Sequence, residues 1–109
     1  MKRVLSLQIN IDGLDIRYEV LGQSNEKDIL LLPGWGATLD LYEHIMKHLS
    51  SRFRVTAIDF PGVGGSQIMA EPWDVQDYAD FVVKFIEKNK NKNPILIGHS
   101  NGGRVIMQI

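Results

Sequence analysis

Apolar and polar residues alternate from Val4 to Ile11, with Leu5, Leu7, Ile9 and Ile11 on one face and Ser6, Gln8 and Asn10 on the other. A period of two predicts a half-buried strand. Asp12-Gly13 follows as a hairpin-turn pair, and Leu14 to Leu21 alternates again through Leu14, Ile16, Tyr18 and Val20. These runs predict an antiparallel hairpin at the edge of a larger sheet, followed by a polar loop over 22–27.

The pattern then changes character. Ile29-Leu30-Leu31-Leu32 is continuous rather than alternating, which suits a strand covered on both faces, as in a parallel sheet. Pro33-Gly34-Trp35-Gly36 reads as a loop. Over 39–49, Leu41, Ile45 and Leu49 recur at helical spacing, with Tyr42 and Met46 beside them. Arg54 to Phe60 is another buried-type run, ending at Asp59, and Pro61-Gly62-Val63-Gly64-Gly65-Ser66 breaks it. Asp74 is placed to cap the next helix, with Asp77 three residues on. Val75, Tyr78, Phe81, Val82, Phe85 and Ile86 form that helix's apolar stripe, and the Lys- and Asn-rich stretch 88–92 ends it. Pro94-Ile95-Leu96-Ile97 is a last strand, and Val105-Ile106-Met107 lies in a stretch able to be helical. Strands alternating with helices predict βαβ units, right-handed crossovers and a parallel sheet. No internal repeat, low-complexity segment or interdomain linker interrupts the series.

Composition narrows the function classes. A chain of 109 residues holds one domain with a sizeable core. Its 44% hydrophobic and 23% charged residues are ordinary for a soluble globular protein. A net charge of −1 gives no electrostatic case for nucleic acid or an anionic membrane as partner. The absence of cysteine excludes disulfides and thiolate metal sites, and the cytoplasm is the expected compartment. Met1-Lys2-Arg3 opens like a signal peptide, but the alternation after it and the arrival of Asp12 leave no continuous apolar core. No apolar run is long enough to span a bilayer.

The candidate chemistry concentrates in Gly98-His99-Ser100-Asn101-Gly102. A Gly-x-Ser-x-Gly between an apolar strand and a helix makes a sharp turn that holds the serine hydroxyl out toward a substrate. The turn is so tight that a side chain at 98 or 102 would clash, and Ser100 is expected in a strained backbone conformation. A serine hydroxyl is a weak nucleophile alone, so the chemistry needs a base and an oriented acid as well.

Three stretches together carry a resemblance. They are Leu32-Pro33-Gly34-Trp35-Gly36 after one strand, Asp59-Phe60-Pro61-Gly62-Val63-Gly64-Gly65-Ser66 after the next, and the turn at Gly98 to Gly102. In order and separation they resemble the N-terminal half of an α/β-hydrolase fold protein of the small serine esterase type. The resemblance covers essentially the whole chain. It implies a single partial domain over 1–109: an α/β sheet of about five strands in the order 1-2-4-3-5, with the second strand antiparallel and the rest parallel. Later strands and the cap would lie beyond Ile109. It also implies Ser100 as nucleophile, with the backbone N–H of Asn101 and that of Trp35 as the oxyanion hole and Gly98 and Gly102 as the elbow glycines. Pro33 stands where many members have histidine; it stiffens the loop and leaves the Trp35 amide in place. The chain order of the family, Ser, then Asp or Glu, then His, puts the catalytic acid and histidine downstream of Ile109.

Other residues invite chemistry and carry less of it. Asp59 ends a strand beside a glycine-rich turn, where catalytic carboxylates can sit; the resemblance implies a structural role instead. Gly62, Gly64 and Gly65 fall short of a dinucleotide fingerprint, because Gln67 occupies the place of the third glycine and no helix opens there. The histidines are His44, His48 and His99. His99 precedes Ser100 directly and points to another side of the turn. His44 and His48 share a helix face beside Glu43, but without a third ligand they read as an exposed face and not a metal site. Neither cofactor nor metal is expected. Two functions stay open: a hydrolase of carboxylic esters or related acyl bonds acting through an acyl-enzyme on a small-molecule substrate, or a fragment without turnover that binds or associates. Serine in place of aspartate at the nucleophile position argues against dehalogenase and epoxide-hydrolase chemistry. By itself the chain is expected to need a complementary fragment or to self-associate, because the strand of Ile95 and Ile97 would be an open edge.

Overall fold

The sheet follows from how each strand distributes its side chains. The structure is a computed structural model that describes residues 5–109, with the side chains described from Ser6; the basic opening Met1 to Val4 lies outside the described residues. Strands β1 (Leu5–Ile11) and β2 (Leu14–Leu21) form the expected antiparallel hairpin, with Leu7 opposite Tyr18 and Ile9 opposite Ile16. Its turn, Asp12-Gly13, has φ of 50° and 86°, the pair of positive angles that matches the twist of a two-residue hairpin.

β3 (Asp28–Leu32) is buried along its whole length. Leu30 and Leu32 face one core with Phe81, Val82 and Phe85, while Ile29 and Leu31 face a second core with Leu39, Tyr42 and Met46. That two-sided burial is why the run is continuous in sequence. β4 (Arg54–Ile58) and β5 (Ile95–Gly98) complete a five-stranded sheet in the order β1-β2-β4-β3-β5. β2 pairs antiparallel with β4, whereas β3 pairs parallel with both β4 and β5.

Helix α1 (Glu43–Leu49) covers one face, entered through a 3-10 turn over Leu39–Tyr42. Here the structure corrects the expected stripe. Leu39, Tyr42 and Met46 are buried, whereas Leu41 is 62% and Ile45 45% exposed. Leu39, Tyr42, Met46 and the partly buried Leu49 are also spaced as one helical stripe, so spacing alone admits either stripe and packing against the sheet selects this one. On the other face, α2 (Val75–Asn89) starts with a reciprocal cap: the Asp74 carboxylate accepts from the Asp77 amide at 2.8 Å, and the Asp77 carboxylate accepts from the Asp74 amide at 2.9 Å. Its stripe buries Tyr78, Phe81, Val82 and Phe85 as spaced, plus Ala79. Helix α3 (Asn101–Met107) packs beside it. Val105 is fully buried in the α2-side core.

β5 is the sheet edge beyond β3. Its register places Ile95 beside Ile29 and Ile97 beside Leu31, on the α1 side. α1 does not reach that far: Ile95 is 51% and Ile97 38% exposed.

Candidate active site

β3, β4 and β5 run parallel, so their carboxyl ends open on the same edge of the sheet. In open α/β sheets that edge is where ligands bind. The three stretches singled out in the sequence are the loops leaving those three strand ends.

The turn after β5 is the tightest. Ser100 stands at φ 56° and ψ −115°, a conformation that costs a non-glycine residue about 1–3 kcal/mol. Its neighbours explain how the turn closes. A β-carbon on Gly98 would lie 2.5 Å from the Gly102 carbonyl carbon. One on Gly102 would lie 2.3 Å from the Leu32 carbonyl oxygen. Both glycines are therefore fixed by steric contact, and Ser100 is left exposed at the start of α3.

The loop after β3 leans on this turn. Gly34 comes close enough that a β-carbon on it would sit 3.1 Å from the His99 carbonyl oxygen and 3.4 Å from Ser100 Cβ. The Ala37 amide donates to the Gly34 carbonyl at 3.1 Å, closing a turn in which Gly36 takes φ 73°. Leu32, at the base of the loop, is held from two sides: its carbonyl accepts from the Tyr42 hydroxyl at 2.7 Å and from the His99 amide at 3.3 Å. Burial pushes the Tyr42 hydroxyl above its ordinary pKa, opposed in part by the His99 backbone, so it stays a donor at neutral pH. Sequence spacing placed Tyr42 only beside a helix stripe; its role as a clamp needed β3 and α1 to be brought together.

The amides of Trp35 and Asn101 donate to no acceptor among the described residues. The Trp35 ring is 70% exposed and meets Tyr78 edge-to-face at 5.5 Å and 81°. Trp73 meets the same tyrosine at 5.2 Å. These rings, with Val75, wall a cleft of about 750 Å³ that also contains Ser100, Asn101, Asp74 and Arg104. In the sequence Tyr78 read only as core and Asp74 only as a cap; Trp73 and Arg104 carried no signal. A second, smaller cavity of about 280 Å³, bordered by Gly34, Phe60, Ile68 and Met69, lies on the other side of Trp35 and Tyr78.

Asp59 lies outside the lining of that cleft and is fully buried. Its carboxylate accepts from the Leu39 amide at 2.7 Å, the Gly65 amide at 2.9 Å and the Arg17 guanidinium at 3.3 Å. Those bonds tie together the loop after β4, the 3-10 entry to α1 and strand β2, and they occupy both oxygens. Gly64 folds against this carboxylate, where a β-carbon would stand 2.3 Å from Oδ2. The glycine-rich turn thus serves Asp59, and no helix opens there to hold a phosphate.

His44 and His48 are exposed on α1, and His99 is exposed beside Gly34. None of them lines the Ser100 cleft. Among the described residues no group of three or more His, Cys, Asp or Glu could hold a metal ion, and no helix is long and apolar enough to cross a membrane.

Fold and loop geometry agree with comparison to known proteins. Residues 28–109 match the family model for the alpha/beta hydrolase fold, and the chain belongs to that family. Over 83 residues it is 35% identical to a pimeloyl-[acyl-carrier protein] methyl ester esterase of Pseudoalteromonas atlantica, covering 75% of this chain and 31% of that protein. Over 100 residues it is 30% identical to the dihydrolipoyllysine-residue acetyltransferase component of the acetoin cleaving system of Cupriavidus necator, covering 92% of this chain and 26% of that one. The crystal structure of a membrane phospholipase A, described as a bacterial virulence factor, superposes with a TM-score of 0.89 at 29% identity, over 94% of this chain and 33% of that one. The chain spans about a third of the length of these relatives.

Proposed function

We propose that Ser100 is the nucleophile of a serine hydrolase acting on a carboxylic ester or a related acyl bond of a small molecule. The observation that carries this reading is the turn itself: an exposed serine at φ 56°, forced out between two sterically obligatory glycines at the end of a parallel strand. The unspent amides of Trp35 and Asn101 support it as oxyanion donors. Ser100 Oγ attacks the acyl carbon while its proton passes to a histidine. The tetrahedral oxyanion then collapses, the alcohol leaves with that proton, and water hydrolyses the acyl-serine to regenerate the hydroxyl. The histidine and its orienting carboxylate lie outside these 109 residues on this reading, in line with relatives about three times as long. Esterases among the relatives favour an ester over an amide. The reaction takes place in the cytoplasm and draws on no cofactor.

A fluorophosphonate probe tests the assignment. The complete product of the reading frame that encodes this chain should be labelled at Ser100, and the Ser100→Ala variant should not. Absence of label on the folded wild type overturns the assignment.

A second reading concerns the 109 residues by themselves, and the exposed edge strand β5 favours it. In that form the chain is an association module without turnover, pairing through β5 with a complementary fragment or a second copy.

A further inference from the structure

Arg104 lies on α3, four residues after Ser100, which immediately precedes that helix. Its backbone amide donates to the Ser100 carbonyl at 3.3 Å, which fixes the start of its side chain relative to the serine. Both residues line the same cleft.

Arg52 and Arg104 are the arginines whose guanidinium groups have no partner among the described residues, and of the two Arg104 lines the cleft of Ser100. The Arg17 guanidinium is shared among Glu19, Asp40 and Asp59 at 2.7–3.3 Å, and Arg54 grips Asp28 through two bonds at 2.5 and 2.8 Å. The Arg104 guanidinium makes no hydrogen bond or ion pair among the described residues. The other charged group in the cleft, Asp74, spends Oδ1 on the Asp77 amide that begins α2, and it forms no ion pair with Arg104. The remaining walls are the rings of Trp35, Trp73 and Tyr78 with Val75. A free planar fork of donors lining an aromatic-walled cleft, with a nucleophile in the same cleft, suits a molecule with a reactive bond, an apolar part and an anionic group.

We propose that Arg104 binds an anionic group of the substrate, a carboxylate or phosphate, so that the preferred substrates are acyl esters carrying a negative charge. The inference rests on Ser100 being the reactive end of the same site. Arg104 takes no part in the bond changes; it sets which esters are held.

The test separates binding from turnover. The complete reading-frame product carrying Ser100→Ala is titrated by calorimetry with monomethyl adipate, an anion, and with dimethyl adipate, its neutral counterpart. The anion should bind about tenfold more tightly, as a charged hydrogen-bond pair contributes. Arg104→Met should bring the ratio of the two affinities to about one, and Arg104→Lys should restore part of it. The phosphate monoester of methyl 6-hydroxyhexanoate, titrated in parallel, tells whether carboxylate or phosphate fits better. Equal affinity for anionic and neutral esters, or an Arg104→Met variant that keeps the anion preference, overturns the proposal. Failure of fluorophosphonate labelling overturns the nucleophile assignment and with it the ester class of the substrate, whereas the affinity ratio, read without turnover, tests the anion site at Arg104 by itself.

Discussion

Gly102 passes so close to Leu32 that a β-carbon on it would stand 2.3 Å from the Leu32 carbonyl oxygen. The same oxygen accepts from Tyr42 and from the His99 amide, so it cannot withdraw without breaking the base of the loop that carries Trp35. The turn at Ser100 and the loop after β3 are thereby one packed unit.

Gly102→Ala should consequently destabilise the fold by about 2–3 kcal/mol, the cost of forcing a methyl into a filled site. Gly103→Ala is the contrast. Its β-carbon would meet nothing nearer than the Gly98 oxygen at 3.8 Å, and alanine is the better helix former by up to about 1 kcal/mol. Urea denaturation of the two variants should move in opposite directions.

Asp59→Asn should lower stability by about 2 kcal/mol, because an amide nitrogen replaces one of the oxygens that accept from Leu39, Gly65 and Arg17 in a fully buried site. Fluorophosphonate labelling of Ser100 should persist below the lowered melting temperature. Loss of labelling in a variant that melts like wild type would instead mark Asp59 as part of the chemistry.

Acid should weaken the protein through Asp28. Burial pulls this carboxyl up, but the Arg54 guanidinium and the Lys92 amide, at 2.8 Å, outweigh it and hold the pKa below its ordinary value. A carboxyl depressed in the folded state adds stability that is complete above its unfolded pKa of about 3.9 and is lost as pH falls through the folded value. Unfolding free energy measured from neutral pH to about pH 2 should therefore fall most steeply below about pH 4. Asp28→Asn should be less stable at neutral pH and lose less on acidification.

Exposed Ile95 and Ile97 on an edge strand paired only on its β3 side lead us to expect that the 109 residues alone associate. Sedimentation velocity should show species larger than monomer, and Ile97→Lys should shift the distribution toward monomer. A monodisperse wild-type monomer with a cooperative melt would contradict this.

Much of the architecture was legible without coordinates because it rests on local periodicity. Alternation gave the hairpin, continuity gave β3, and the spacing of Tyr78, Phe81, Val82 and Phe85 gave α2. Glycine positions marked the turn at Ser100; the crowding at Gly98 arises within the turn, whereas that at Gly102 comes from Leu32 across the chain. What sequence alone could not supply was contact across the chain. Whether the stripe of Leu41 or that of Leu39 is buried depends on which one meets Ile29, Leu31 and Val55 of the sheet, which local spacing does not show. Tyr42 becomes the clamp on Leu32, and Asp59 a three-way tie, only when β2, β3, β4 and α1 are assembled. Trp73, Tyr78 and Arg104 become walls of one cleft because α2 and α3 pack on the same face of the sheet. The sequence determined where Ser100 would be presented; tertiary packing decided what surrounds it.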